Sequence, residues 1–242
     1  KSVLGKLSAR QGGVAEFESH ALKENSKLLV KDLLDNPRSG EKIKELQDTV
    51  KVMVDTILRS KDTIFDLLDI SSNDYYTYTH SVNVAVMSIG LSSMVGLEKE
   101  ETIKLGIGAM LHDVGKSVVP HEILNKQGRL NMTEFEIMKT HVAEGEKILL
   151  QHKNFPEDAL PAVTQHHEKL TGRGYPAGLT GGSIKLFGRI TSIVDCYDAL
   201  TTNRPYKTAY TPYYALLVLV KEKQDYDCHV LKEFVEMLGK IK

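Results

Sequence analysis

Apolar residues recur along this chain mostly at spacings of three and four, the period of a helix with one buried face. From Val14 to about Leu34 they fall at Val14, Phe17, Ala21, Leu28 and Leu29. Asp35-Asn36-Pro37-Arg38-Ser39-Gly40 has the composition of a turn. A longer helix is then expected from about Glu41 to Leu68, with Ile43, Leu46, Val50, Met53, Ile57, Ile64 and Leu67 in register and Ser60 as the single polar interruption. That pattern is close to four heptads and can form a coiled-coil seam. Val54, Leu58, Phe65 and Leu68 widen the stripe, so a dimerising stalk and an intramolecular brace both remain open.

Asn73 or Asp74 is the expected N-cap of the next helix, Tyr75 to Val95, which is apolar on most faces and carries His80 near its start. Gly96 ends it, and Glu98 to Leu111 follows. Thr133 with Glu136 reads as a capping box opening a helix that carries His141. Pro156 to His167 is another expected helix, followed by one long Gly-rich loop from Thr171 to Gly182. Ile184 to Thr202 carries Asp195 and Asp198; Asn203-Arg204-Pro205-Tyr206-Lys207 breaks it, and two helices complete the chain. No stretch alternates as a strand, so the expected class is all-α.

Composition narrows the field. The 242 residues carry 31 basic and 32 acidic side chains, a formal net charge of -1. There is no global basic field for a long nucleic acid, so an anionic ligand must be met locally. No run approaches the roughly 18 apolar residues that span a bilayer, and the N-terminus has no signal-peptide core. Only Cys196 and Cys228 occur, too few for a disulfide framework, so both are expected reduced and the protein cytoplasmic. The chain opens on Lys1, as expected of an excised piece with an upstream sensor domain.

The chemistry centres on Leu105 to Lys116, where a small-residue apolar helix ends in His112-Asp113-Val114-Gly115-Lys116. A buried Asp is costly unless paired or bound to a metal, and imidazole with carboxylate is a good donor set for a divalent ion. Five of the nine histidines, His80, His112, His141, His166 and His167, lie at helix positions or ends inside apolar segments. With Asp113 and Asp195 they make seven candidate ligands, too many for one ion and suited to two bridged by Asp113. The absence of thiolate argues against a structural zinc site. Imidazole with carboxylate suits iron, manganese, zinc or nickel, and the donor set does not rank them. Two ions about 3.5–4 Å apart point to hydrolysis of a phosphate ester. His20, His121, His152 and His229 lack such context and are read as surface or structural residues.

The order His80, His112-Asp113, Asp195 resembles the HD phosphohydrolase superfamily. Three stretches make the chain similar to its HD-GYP subfamily: His112-Asp113-Val114-Gly115-Lys116; His166-His167-Glu168 with Gly174-Tyr175-Pro176; and Asp195-Cys196-Tyr197-Asp198-Ala199-Leu200 with Arg204-Pro205-Tyr206-Lys207. The likeness covers roughly residues 60 to 240. It implies an HD-domain helical core over residues 70–242; residues 1–69 are read as a helical linker or dimerisation segment, a candidate for homodimer contacts. The implied activity is metal-dependent hydrolysis of cyclic di-GMP to linear pGpG, and in some members on to GMP.

By the same resemblance, His80, His112, Asp113 and Asp195 hold one metal, and Asp113, His141, His166 and His167 the other. Lys116 sits by the scissile phosphate, Tyr175 lines the ligand pocket, and Arg204 and Lys207 contact phosphates. The residues themselves support the last role: both cations follow the Asp195 helix closely, and a cyclic dinucleotide carries two charges to match. Two departures stand out. Tyr76 occupies the position where some members place a third-metal Glu, which favours two ions. Thr171-Gly172 replaces a common Asp-Gly, which is expected to loosen the loop. The rival readings are a non-enzymatic cyclic di-GMP receptor, which has no need of all seven ligands, and a general HD-superfamily nucleotidase.

Overall fold

The structure, a computed structural model, describes residues 3–60, 63–68, 76–203 and 208–239. Among them the regular structure is helical, and the sole β feature is an isolated antiparallel bridge between Thr171 and Thr180. In chain order the helices are α1 (Val3–Asp35), α2 (Gly40–Arg59), α3 (Thr63–Leu68), α4 (Tyr76–Ser92), α5 (Lys99–Met110) and α6 (His121–Leu124). They continue with α7 (Met132–Lys139), α8 (His141–Leu150), α9 (Leu160–Thr164), α10 (Leu186–Thr201), α11 (Pro212–Lys221) and α12 (Cys228–Gly239).

Helix α4 is the axis of the fold. Val82, Val84, Ala85, Val86, Met87, Ile89 and Leu91 are all buried, covering every face, and the helix packs against α1, α2, α3, α5, α10 and α12. An all-round apolar helix can only sit at the centre of a core. The apolar stripe of α2, from Ile43 through Leu46, Val50, Met53 and Val54 to Ile57, is buried within this one chain. Ser39 caps α2 by accepting a hydrogen bond from the Lys42 amide.

The helix expected over 41–68 is two helices. Ser60 is extended (φ −144°, ψ 114°), although its amide still donates to the Thr56 carbonyl. The break frees α3 to bring Ile64 and Leu67 onto the core beside α1 and α4. Helix α4 ends at Ser92 rather than Val95, because the Ser92 hydroxyl turns back onto the Ile89 carbonyl and the following residues form a turn. The capping box that opens α7 is Asn131 with Glu134, not Thr133 with Glu136. The expected N-caps Asn73 and Asp74 lie outside the described residues.

These corrections decide where the site residues sit. Thr140 ends α7 by donating its hydroxyl to the Ile137 carbonyl, so His141 opens α8 instead of riding within a continuous helix. Likewise, the helix expected over 156–167 is a 3₁₀ turn (Glu157–Ala159) and the short α9, with His166 and His167 in the turn beyond.

Gly115 lies on the 3₁₀ turn Val114–Val118, against α8: an added Cβ would stand 1.9 Å from the His141 carbonyl oxygen and 2.5 Å from the Gly145 nitrogen. No backbone can absorb that without moving the Asp113 turn away from His141. Gly115→Ala is therefore expected to cost about 1–3 kcal/mol, the range for overpacking. It should also weaken divalent-metal retention, read by urea unfolding and by metal content after dialysis. Unchanged stability would show that the two segments are not locked together.

Candidate metal centre

Three histidines share one mounting. His112, His141 and His166 each follow a helix, and each Nδ1 lies 2.7 Å from a carbonyl three residues back, on Ala109, Met138 and Val163 respectively. Those carbonyls belong to the last turns of α5, α7 and α9, where helical partners run out. A carbonyl only accepts, so each Nδ1 carries the hydrogen and each ring turns its Nε2 inward. His80, on α4, is oriented differently: its Nδ1 lies 2.7 Å from Asp198 Oδ2. Asp198 also accepts from Asn83 Nδ2 at 2.9 Å and from the Thr202 hydroxyl at 3.2 Å.

Asp113 lies among these rings with one carboxylate oxygen for each side. Oδ1 is 3.4 Å from His141 Nε2 and 4.0 Å from His166 Nε2. Oδ2 is 3.3 Å from His112 Nε2, 3.9 Å from His80 Nε2 and 2.5 Å from Lys116 Nζ. Asp195, from α10, spans the centre too. Its Oδ1 is 3.0 Å from His80 Nε2 and 3.8 Å from His112 Nε2, while Oδ2 is 4.0 Å from His167 Nδ1. Two compact donor groups result, His80-His112-Asp113 and His141-His166-His167, with ligand atoms inside each group all within 4.8 Å of one another. Asp195 falls outside both compact groups but touches each.

Electrostatics prepares this centre for cations. Burial opposes charge on Asp113, yet Lys116, His112 and His141 outweigh it and hold the carboxyl well below the usual range. Burial likewise opposes charge on Asp195, and the hydrogen bond and charge of His80 override it. Burial also disfavours a charged His80, but its bonds to Asp195 and Asp198 raise it to about 10, so a cation at this side takes the place of its Nε2 proton. Burial pushes His141, His166 and His167 down, His167 to about 3, so these three rings are neutral lone-pair donors at neutral pH.

The polar atoms fit a metal better than they fit one another. Asp113 Oδ1 and His112 Nε2 are fully buried without a hydrogen bond. An orphaned carboxylate oxygen is costly to bury, and ligation of a cation offsets that cost. The arrangement is consistent with a bimetallic site, with His80, His112 and Asp113 able to hold one ion, His141, His166 and His167 the other, and the two aspartates reaching both sides.

The mouth of the centre is its least covered part. His167 keeps 27% of its side chain exposed, and Tyr175 stacks on it with centroids 4.5 Å apart and planes at 28°. Burial, reinforced by Asp113 and Asp195, pushes the Tyr175 phenol up, so it remains a protonated donor. Lys116 is three-quarters covered. Arg204 and Lys207 lie outside the described residues, as does the side chain of Tyr76.

Two carboxylates absent from the expected site fasten the Tyr175 loop. Glu168 is buried, and its oxygens accept from the amides of Ala177 at 2.8 Å and Leu179 at 2.9 Å. Gly174 packs so closely beneath that an added Cβ would stand 2.5 Å from the backbone of His167, Glu168 and Lys169. On the outer side Asp225 Oδ1 accepts from the Thr171 hydroxyl at 2.6 Å and from Arg173 at 2.9 Å. Asp225, from the segment between α11 and α12, thus tethers the loop beside Gly172.

The profile of the HD domain matches residues 62–230. The chain belongs to the HD-domain family. With the Gly174-Tyr175-Pro176 loop beside His166-His167, this HD domain is of the HD-GYP type. It is 32% identical over 216 residues to a cyclic di-GMP phosphodiesterase of Pseudomonas aeruginosa, covering 88% of this chain and 52% of that protein. It is 36% identical over 166 residues to a 3'3'-cGAMP-specific phosphodiesterase of Vibrio cholerae, covering 68% of this chain and 32% of the other. The chain therefore spans about half or less of the length of these curated relatives. An HDG"Y"P protein from Bdellovibrio bacteriovorus shares the fold of this HD domain, with a TM-score of 0.80 at 19% identity over 93% of this chain and 72% of that one. Among the described residues, no helix is long and apolar enough to cross a membrane.

Proposed function

We propose that this HD domain is a metal-dependent cyclic dinucleotide phosphodiesterase that hydrolyses cyclic di-GMP to linear pGpG. The observation that carries the reading is Asp113, buried between two histidine groups with one oxygen toward each and Lys116 against the second oxygen. Divalent ions bound there supply an acidified water and neutralise charge on a phosphoryl oxygen. The protein's own residues do the rest. Asp113 and Asp195 fix the separation of the two halves, and the neutral rings hold their lone pairs inward. Lys116 holds a proton at Nζ beside the scissile phosphate: water adds to phosphorus, the P–O3′ bond breaks, the leaving oxygen takes that proton, and the proton released by the water restores Lys116. Tyr175 donates from the loop that closes the mouth, and Arg204 and Lys207 meet the remaining phosphate charge.

Residues 70–242 form the catalytic domain in this reading. Residues 1–69 are the helical linker that precedes it, with the apolar stripe of α2 packed on this chain's own core. Iron or manganese fills the centre.

The test is product chromatography on protein reconstituted anaerobically with iron or manganese, given cyclic di-GMP and 3'3'-cGAMP in separate reactions. Linear pGpG from the first, formed faster than product from the second, is expected. A preference for 3'3'-cGAMP would overturn the substrate, and metal-loaded protein that cleaves neither would overturn the activity.

A further inference from the structure

Helix α7 buries none of its residues, so nothing on it is needed for the core. Yet it carries Phe135, which leaves 45% of its surface to solvent. A single exposed apolar ring needs no explanation of its own. This one is joined to the metal centre. Its ring meets Tyr175 edge-on, centroids 6.0 Å apart and planes at 81°, and Tyr175 in turn stacks on His167. One turn along α7, Lys139 Nζ stands over both rings, 5.4 Å from the centroid of Phe135 and 5.8 Å from that of Tyr175. Its ionic partner is Glu136 at 2.8 Å, and that carboxylate is largely exposed. A surface pair of this kind holds its cation weakly, so an incoming phosphate can compete for it.

His167, Tyr175, Phe135 and Lys139 therefore form one continuous ledge from the chemistry out to solvent. Such a surface offers a π-face to a base and a positive charge to the backbone that carries it, the two elements by which proteins hold unpaired nucleotides.

We infer that Phe135 and Lys139 are the subsite for one nucleobase of the substrate: the base stacks on the exposed face of Phe135 while Lys139 meets the adjoining anionic backbone. The inference rests on the phosphodiesterase reading and names the residues of α7 that take the base. The ring contacts of Phe135 are with Tyr175 and Lys139, so its contribution is to binding, and it is expressed in KM more than in kcat.

The experiment compares the metal-reconstituted wild type with Phe135→Ala, Phe135→Leu, Phe135→Trp and Lys139→Gln on cyclic di-GMP. Phe135→Ala and Phe135→Leu are expected to raise KM by roughly ten- to a hundredfold, the scale of one lost base–aromatic stack, with metal content unchanged. Phe135→Trp should restore KM to near the wild-type value, since it keeps a π-face. Lys139→Gln should raise KM several-fold and flatten its dependence on salt. A cyclic dinucleotide carrying the fluorescent base 2-aminopurine should be quenched on binding to wild type and less so on Phe135→Leu. Phe135→Leu with wild-type KM and quenching, or variants that lose kcat with KM unmoved, would overturn the inference alone. A wild type that turns over no cyclic dinucleotide would overturn the phosphodiesterase reading and the subsite with it.

Discussion

Asp113→Asn is expected to abolish the dinuclear centre while leaving the helical fold intact. The substitution preserves shape and removes the charge that both histidine groups face. Metal content should fall from two ions per chain toward zero. Hydrolysis of cyclic di-GMP should drop by about a hundred- to a thousandfold, the scale of removing one preorganised electrostatic group. The fold should survive because the site rests on a core that α4, α5 and α10 complete without it. Circular dichroism should match that of metal-free wild type. The variant also separates two roles of the carboxylate. If Asp113 served only to hold Lys116, metal stoichiometry would stay at two and turnover alone would fall.

Glu168→Ala has the second largest expected effect, and it falls on stability first. The Glu168 side chain supplies the acceptor for two loop amides, on Ala177 and Leu179, inside a buried setting. A hydrogen bond to a charged group contributes about 1.5–3 kcal/mol. Losing two, with partial rescue of the amides by water, should cost about 3–5 kcal/mol. Freed from its inner anchor, the loop would draw Tyr175 off His167, so KM for cyclic di-GMP should rise as well. Urea unfolding of the metal-free proteins, with hydrogen exchange at Ala177 and Leu179, reads the first part. Asp225→Asn should have a smaller effect, because its contacts with Thr171 and Arg173 lie on the exposed side. A loss below about 1 kcal/mol in Glu168→Ala would mean that the outer tether and the Gly174 packing hold the loop by themselves.

Much of this fold was legible because helices announce themselves by apolar spacing, and α4, α5 and α10 emerged with nearly their observed bounds. What the periodicity hid were interruptions that keep register across a break. Ser60 and Thr140 are ordinary polar residues in a helical pattern, yet one goes extended and the other turns its hydroxyl back onto a carbonyl. Apolar spacing carries no record of either event.

The candidate ligands were legible for a related reason. A histidine or aspartate inside an apolar segment conflicts with its surroundings, and seven such conflicts converge in space. Glu168 was not assigned a role, because its partners are backbone amides nine and eleven residues away, which no side-chain pattern encodes. The three histidine mountings did leave a trace. His112, His141 and His166 all lie just beyond the end of a helix, three residues after a last-turn carbonyl that accepts from the ring nitrogen. Asp225 left none, since its link to Thr171 spans 54 residues.

The central claim is that one carboxylate joins two metal ions. Anomalous diffraction from crystals of the iron- or manganese-loaded protein tests it most directly. Two peaks about 3.5–4 Å apart are expected, one beside His80 and His112, the other beside His141, His166 and His167, with one oxygen of Asp113 on each. A single peak, or two peaks with Asp113 turned away from either, would contradict it.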